Sequence, residues 1–158
     1  MPVIIHKQWI NASRQLCFDL ARSVDVHTMT TSGTKEKAVG GITKGLLEEG
    51  DTVIWEAFHL GLKRRLTAKV IEMDKPDQFV DIMVKGAFHS FTHTHQFVEK
   101  DGGTLMIDTF DYKSPFGWVG ILADKLFLER YMTKFIAARA KELGKLAEKS
   151  QGMSIRGG

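Results

Sequence analysis

The sequence is poor in cysteine and proline and has no long apolar run. Its 158 residues include one cysteine, Cys17, which excludes an internal disulfide and favours a reducing, cytoplasmic location. Cys17 lies between two apolar residues, so we expect a buried and inert thiol. No apolar run approaches the ~18 residues of a membrane span, and the N-terminus lacks the charged and apolar segments of a secretory signal. We therefore expect no transmembrane segment and no export.

Positive charge is in excess, but it is scattered along the chain. The formal net charge is +3 and the isoelectric point about 9.0, while no cationic run is longer than residues 63–65. A nucleic-acid-binding surface would concentrate lysine and arginine, so we expect no nucleic-acid partner. The glycine-rich residues 40–45 are not followed by Gly-Lys-Ser/Thr, which excludes a phosphate loop, and no nucleophile elbow is present.

The length and composition indicate one domain. A chain of 158 residues with 43% hydrophobic residues is long enough to bury its own core. Residues 151–158 are polar and rich in glycine, which predicts a flexible C-terminal tail after a single domain over residues 1–150. The oligomeric state is left open, and a homo-oligomer is compatible with the sequence.

The long stretch with helical periodicity lies near the C-terminus, at residues 116–149. A breaker cluster at residues 114–117 predicts that a helix begins just after it, and its length of about 45 Å for 30 residues predicts a break near Gly120. From Leu128 onward the pattern predicts an amphipathic helix. The apolar face contains Leu128, Met132, Phe135, Ile136, Leu143 and Leu146, and the opposite face contains Lys134, Lys141, Lys145 and Glu148.

One residue interrupts the apolar stripe of this helix. Arg139 falls in its middle, and two interpretations stand. Its aliphatic stem covers apolar surface while the guanidinium reaches water, or the guanidinium faces a cavity and meets an acidic group of the protein or of a ligand. The first is favoured because long cationic side chains are rarely buried without a partner.

The N-terminal half predicts short elements. Residues 3–10 are β-rich with apolar residues on both sides, which predicts a strand covered in part on both faces. Asn11 and Ser13 can cap a helix that runs to Ser23. Residues 24–29 form a second, weaker helix because β-branched residues disfavour helix, and residues 35–41 are predicted as an edge strand. In the strand at residues 79–84, Asp81 lies on the face opposite Val80.

Turn chemistry predicts two hairpins. A two-residue turn at residues 60–61 sets Glu56 opposite Arg65 and Trp55 opposite Leu66, so that one face carries an ion pair and the other an apolar pair. Asp101–Gly102 is a type I′ turn signal after a stretch of clear alternation at residues 88–98.

This second hairpin sets the register of the candidate site residues. On one side of its first strand lie Phe91, His93, His95 and Phe97. The two-residue turn pairs Phe97 with Met106, His95 with Asp108, and His93 with Phe110. A three-residue loop that includes Gly103 would set His95 against Thr109 instead. We favour the first register because the aromatic and methionine side chains then share one face.

The order of elements defines the predicted fold. It is an α+β domain in which a curved antiparallel sheet of about seven strands wraps around the long C-terminal helix, with two short helices after the first strand. The apolar face of a sheet must be shielded from water by another element, and the amphipathic helix can pack on that face.

This order and several motifs resemble the START-like, helix-grip superfamily (SRPBCC), over almost the whole chain. The most specific stretch comprises residues 86–88 and 91–97, followed by Gly103-Thr104, Asp108, Tyr112 and residues 115–117. It is similar to the bacterial branch described as polyketide-cyclase-like or cell-division-inhibitor-like. The resemblance implies a cavity between sheet and helix that holds a lipid-like or polyketide-like molecule, and it implies no particular reaction.

The polar candidates form one constellation. His93 and His95 project from one face of a strand, and an opposing Asp108 could fix a histidine tautomer; His59 is a fourth candidate. Three roles are open for this group. It is a hydrogen-bonded polar pair inside the core, it orients a ligand, or His95 and Asp108 act as an acid–base pair. Two histidines and a carboxylate also suit Zn²⁺ or iron, but no distant third ligand can be placed. We therefore predict no metal and no cofactor, and a surface position for His6 and His27.

Three functional hypotheses follow. The first is a binding module for a small apolar or aromatic molecule, the second a cyclase- or dehydratase-type enzyme that uses His95 with Asp108. The third is a protein- or membrane-surface module that uses the lysines of the outer helix face. For the first hypothesis, the predicted ligand-binding residues are Trp55, Phe91, His93, His95, Phe97, Met106, Asp108, Phe110, Met132, Phe135 and Arg139.

Overall fold

A computed structural model of the protein describes residues 2–115 and 127–157. The chain order is one strand, two short helices, six strands and a long helix, which confirms the predicted fold class. The elements are β1 Val3–Ile10, α1 Arg14–Ala21, α2 Val24–Thr30, β2 Lys37–Gly41, β3 Thr52–His59, β4 Leu62–Asp74, β5 Gln78–Lys85, β6 Ser90–Lys100, β7 Gly103–Lys113 and α3 Glu129–Gly157.

The seven strands form one antiparallel sheet in the order β1-β7-β6-β5-β4-β3-β2. Strands β2 to β7 are therefore each paired with their neighbours in the chain, and β1 pairs with β7. In the β3–β4 hairpin Trp55 opposes Leu66 and Glu56 opposes Arg65, as predicted. In the β6–β7 hairpin His95 opposes Asp108, so the two-residue register is confirmed as well.

Both predicted turns have the backbone that a tight hairpin requires. Leu60 and Gly61 have φ values of 56° and 77°, and Asp101 and Gly102 have values of 50° and 76°. Two successive left-handed residues are the mark of a type I′ turn, whose twist matches that of the flanking strands. The turns therefore set the registers that the alternating patterns favour.

The two short helices begin at serine caps. The Oγ atom of Ser13 accepts a hydrogen bond from the N–H of Leu16 at 3.2 Å, and that of Ser23 accepts one from Val26 at 3.2 Å. These bonds satisfy N–H groups that a helix start leaves unpaired. Helix α2 forms despite its β-branched residues because Val24 and Val26 are buried beneath it.

Helix α3 presents the predicted stripe to the sheet. Met132, Ile136 and Leu143 are buried, whereas Lys134, Lys141 and Lys145 are exposed. The predicted helix start after residue 117, the all-apolar segment around Trp118 and the break near Gly120 lie outside the described residues.

Helix α3 extends into the segment predicted as a flexible tail. The segment predicted as a tail, residues 151–158, is helical to Gly157. The side chain of Gln151 accepts a hydrogen bond at 3.0 Å from the backbone N–H of Ser13, which ties this turn to the start of α1. Extension of an existing helix gains one hydrogen bond for each residue fixed, whereas nucleation fixes three residues for the first bond, so a helix can extend beyond its apolar stripe.

The core divides into two parts along α3. Around α1 the side chains interlock, and Phe18 meets the rings of Phe79 and Phe97 edge-on at centroid distances of 5.6 and 5.4 Å. We call this cluster the packed end. It contains Ile10, Ala12, Cys17, Phe18, Ala21, Phe79, Phe97, Met106, Ala140, Leu143 and Ala147. The buried Cys17 thiol belongs to it, as predicted, and its burial raises the pKa of the thiol.

Candidate functional site

A cavity of about 590 Å³ lies between the sheet and α3, beside the packed end. Its wall includes side chains from β3 to β7, α2 and α3. Nine of the eleven residues predicted to bind a ligand line it: Trp55, Phe91, His93, His95, Asp108, Phe110, Met132, Phe135 and Arg139. We call this part of the molecule the hollow end.

The other two predicted residues lie elsewhere. Phe97 and Met106 are 2% exposed and belong to the packed end, where they contact the side chains around Phe18. They share a sheet face with the cavity residues, as predicted. The period-2 pattern shows which face of the sheet a residue lies on. It does not show that α1 covers one end of that face and leaves the other end to the cavity.

Two histidines and two aspartates meet in the cavity wall. We call Asp81, His93, His95 and Asp108 the His–Asp cluster. Nε2 of His93 lies 3.0 Å from Oδ1 of Asp108, and Nε2 of His95 lies 2.8 Å from Oδ2 of Asp81. The second ring nitrogen of His95, Nδ1, is 3.1 Å from the same oxygen of Asp108, in an ionic contact without good hydrogen-bond geometry.

Three neighbouring strands hold this cluster. His93 and His95 lie two residues apart on β6, so they project on the same side, and their ring centroids are 3.8 Å apart. Strand β7 brings Asp108 opposite His95, and β5 brings Asp81 opposite His93. On the far side of His95 the ring of Phe79 stacks at 4.2 Å, which fixes the imidazole plane.

Asp81 was not among the predicted site residues, although the β5 pattern contained a signal for it. Phe79, Asp81 and Met83 have the same parity on β5, and Phe79 is buried at 3% exposed. An aspartate flanked at i−2 and i+2 by apolar residues faces the interior with them. The residues on the other face of β5, which include Val80, are also apolar. They masked the signal because both faces of β5 are partly covered.

Burial and mutual charge shift the pKa values in the cluster in different directions. Burial and the neighbouring His95 lower the pKa of His93. Burial also opposes a charge on His95, but its close contacts with the carboxylates of Asp108 and Asp81 outweigh burial and raise the pKa of His95. The same contacts overcome burial and hold the pKa values of both aspartates below their usual range. The cluster therefore favours ionised carboxylates with His93 neutral.

A second polar group lines the cavity near α2. Nε2 of His27 lies 2.8 Å from Oε1 of Glu36, and the imidazole ring packs over Trp55 at 4.1 Å between centroids. Burial and the charge of Arg139 lower the pKa of His27, while the nearby His27 and Arg139 lower the pKa of Glu36 in spite of its burial. The prediction of a surface position for His27 is wrong, because the turn after α2 folds Glu36 back towards it.

Arg139 lies in the cavity wall. Its Nη2 donates to the carbonyl oxygen of Ala21 at 3.3 Å, and its Nε is buried without a hydrogen bond among the described residues. The position in the cavity wall agrees with the less favoured interpretation of Arg139, but the acidic partner of that interpretation is not found among the described residues. Within the described residues Arg139 forms no salt bridge, although its charge acts on Glu36 and Asp81.

His59 contributes a third polar contact of the wall. Its Nδ1 lies 2.6 Å from the hydroxyl of Tyr131, and its ring meets Phe135 edge-on at 5.5 Å. Burial lowers the pKa of His59 and raises that of Tyr131. His59 is therefore a cavity residue, separate from the His–Asp cluster in its hydrogen bonding.

The sheet, the long C-terminal helix and the two short helices after β1 make up the helix-grip fold of START-like proteins. Solved structures with this architecture superpose on nearly the whole chain. The protein TTHA0849 from Thermus thermophilus matches with a TM-score of 0.78 and 19% identity over 94% of this chain and 99% of that one. Major latex-like protein 151 from Panax ginseng matches at 0.67 and 14% identity, over 92% and 97%.

A polyketide-related structure is also similar. The di-domain ARO/CYC StfQ from the steffimycin biosynthetic pathway matches with a TM-score of 0.76 and 9% identity, over 95% of this chain and 51% of that one. No family model matches the sequence, and no curated protein matches it. At these identities the likeness shows the fold alone. No helix in the described residues is long and apolar enough to cross a membrane.

Proposed function

We propose that the protein binds a small apolar or aromatic molecule in the cavity between the sheet and α3. The observation that carries this proposal is the cavity itself, whose volume of about 590 Å³ lies within the range of small-molecule pockets. Much of its wall is aromatic or aliphatic: Trp55, Phe91, Phe110, Met132, Phe135 and Ile136. Such a wall gains free energy when it covers apolar surface of a guest.

A few polar groups would orient the guest. The His–Asp cluster lies in one part of the wall and the His27–Glu36 pair in another. Glu36 and Arg139 also line the cavity. A guest with a hydroxyl or carbonyl group placed against these polar side chains would gain a hydrogen bond that its hydrocarbon analogue lacks, so it would bind more tightly.

Native mass spectrometry of freshly purified protein tests this proposal. A co-purified apolar compound of a few hundred daltons is the expected result, released on denaturation. If the cavity is vacated during purification, the fluorescent probe 1-anilinonaphthalene-8-sulfonate should bind with saturation at one site per chain. Repeated preparations that carry no compound and take up no probe would overturn the proposal.

A second candidate is an enzyme of the cyclase or dehydratase type. The observation that favours it is the hydrogen-bonded contact of His95 with Asp81, with Asp108 beside its other ring nitrogen, in the wall of the cavity. An imidazole held between two carboxylates has a defined orientation for proton transfer. A β-hydroxy ketone in the cavity would lose a proton beside its carbonyl and its hydroxyl as water. The fold that this chain shares with ARO/CYC StfQ is compatible with such a role.

The two candidates differ in their response to one substitution. With an aromatic β-hydroxy ketone as the probe, His95→Ala should abolish formation of the dehydrated product if the protein is an enzyme. If the protein is only a binding module, wild type forms no product, and the substitution lowers the affinity for the probe.

A further inference from the structure

We propose that Asp81, His93 and His95 form a binding site for one divalent transition-metal ion of the Zn²⁺ or Fe²⁺ type. Each of the three side chains offers one ligand atom, and these atoms lie within 4.8 Å of one another. Two histidines and one carboxylate are a ligand set that both ions accept. The sequence argued against a metal for want of a third ligand, and Asp81 on the neighbouring strand supplies one.

The spacing of the closest two ligand atoms fits a metal ion. Nε2 of His95 and Oδ2 of Asp81 are 2.8 Å apart. Two ligands bound at about 2.1 Å from one ion are about 3.4 Å apart at the tetrahedral angle that Zn²⁺ prefers. An ion that replaces the proton shared by this pair therefore moves the two atoms apart by roughly half an ångström.

Asp108 makes a hydrogen-bonded contact with one imidazole ring of the cluster and an ionic contact with the other. Its Oδ1 lies 3.0 Å from Nε2 of His93 and 3.1 Å from Nδ1 of His95. With Asp108 at one nitrogen of each ring, the other nitrogens, Nδ1 of His93 and Nε2 of His95, are left for the metal. A carboxylate behind a histidine ligand commonly sets its tautomer and its basicity in metal sites, so Asp108 is a positioning residue here.

Charge balance supports the same assignment. Asp108 and His95 are each 3% exposed, and the cluster contains two carboxylates against two imidazoles. A ligating imidazole is neutral, so in the metal-bound cluster the two carboxylates carry two negative charges, which are costly to bury unless they are paired or coordinate a metal. A divalent ion neutralises them. Three protein ligands also leave a coordination position open, and the residues of this cluster line the cavity.

Titration of the metal-free protein with ZnCl₂, followed by calorimetry, tests the site. Protein dialysed against EDTA should bind one Zn²⁺ per chain. Asp81→Asn and His93→Ala should each weaken binding by about tenfold to a hundredfold or more, and Asp108→Asn by about tenfold to a hundredfold. His89→Ala is the matched control, because His89 is exposed on the loop before β6, and it should leave the affinity unchanged.

Cobalt gives a readout that does not depend on a variant folding. CoCl₂ added to the metal-free wild-type protein should produce visible absorption bands of the strength typical of four- or five-coordinate cobalt. Circular dichroism of each variant shows whether it is folded. No saturable Zn²⁺ binding, an absorption spectrum like that of aqueous cobalt, or undiminished binding in folded Asp81→Asn and His93→Ala would each overturn the proposal.

Discussion

The interface between the sheet and α3 is solid at one end and hollow at the other, although the same sheet and the same helix form both. At the packed end α1 packs Phe18 edge-on against the rings of Phe79 and Phe97, and small residues let α3 approach β1. A Cβ at Gly144 would lie 3.4 Å from Ile10. At the hollow end α3 presents Met132 and Phe135 to a cavity instead.

The difference shows how one fold separates stability from function. The packed end is a close-packed apolar cluster in which voids are costly. The hollow end gathers buried charged groups such as Glu36 and Asp108 around unfilled space. We infer that the packed end supplies much of the free energy of folding. The residues of the hollow end make fewer packing contacts because they surround a binding cavity.

The largest expected effect comes from a truncation at the packed end. Phe18→Ala should lower the free energy of unfolding by about 3–5 kcal/mol, because a fully buried ring leaves a cavity that its neighbours cannot fill. Urea denaturation measures it. Phe135→Ala, at the partly exposed wall of the hollow end, should cost less than half as much. Equal losses in the two variants would contradict the division into two ends.

The reverse substitution, small to large, sharpens the contrast. Ala147 is fully buried at the packed end, so Ala147→Phe should overpack it and cost about 1–3 kcal/mol. Ala68 lines the cavity, so Ala68→Phe should be tolerated with little change in Tm.

The substitution Ala68→Phe also tests ligand binding. Because a phenyl ring at residue 68 occupies space that a guest would use, Ala68→Phe should lower the affinity for 1-anilinonaphthalene-8-sulfonate about tenfold, which is about 1.4 kcal/mol. Unchanged probe binding in Ala68→Phe, together with a wild-type Tm, would place the probe outside the cavity.

The last expected effect is a pH dependence that arises at the hollow end. The folded protein lowers the pKa of His27 and that of Glu36. As the pH falls below about 6.5, the unfolded chain takes up the His27 proton first, and stability falls; below about 4.5 Glu36 adds to the loss. The charged groups that act on this pair are Arg139, Asp81 and His59.

A variant isolates the contribution of His27. The free energy of unfolding of wild type should fall more steeply between pH 7 and pH 5 than that of His27→Gln, by up to about 1.4 kcal/mol per pH unit for one proton. Chemical denaturation at several pH values measures the two slopes. Parallel profiles would mean that His27 titrates alike in the folded and unfolded chains.

Much of the site could be predicted because it depends on local rules. The two-residue turn at Asp101–Gly102 sets the pairing of His95 with Asp108, and strand alternation puts His93 on the same face. Asp81 and Glu36 could not be placed in this way. Asp81 depends on which face of β5 points inward, and Glu36 on the path of the chain after α2.

The sequence by itself determined the element order, both hairpin registers and the apolar stripe of α3, because turn chemistry and side-chain periodicity act over a few residues. Only the tertiary structure decided which part of the sheet α1 fills and which part stays hollow. It also decided that Phe97 is core while Phe91 lines the cavity, and that His27 lies in the cavity wall. These outcomes depend on contacts between residues far apart in the chain, whose free energy is set by the space that packing leaves and not by any local pattern.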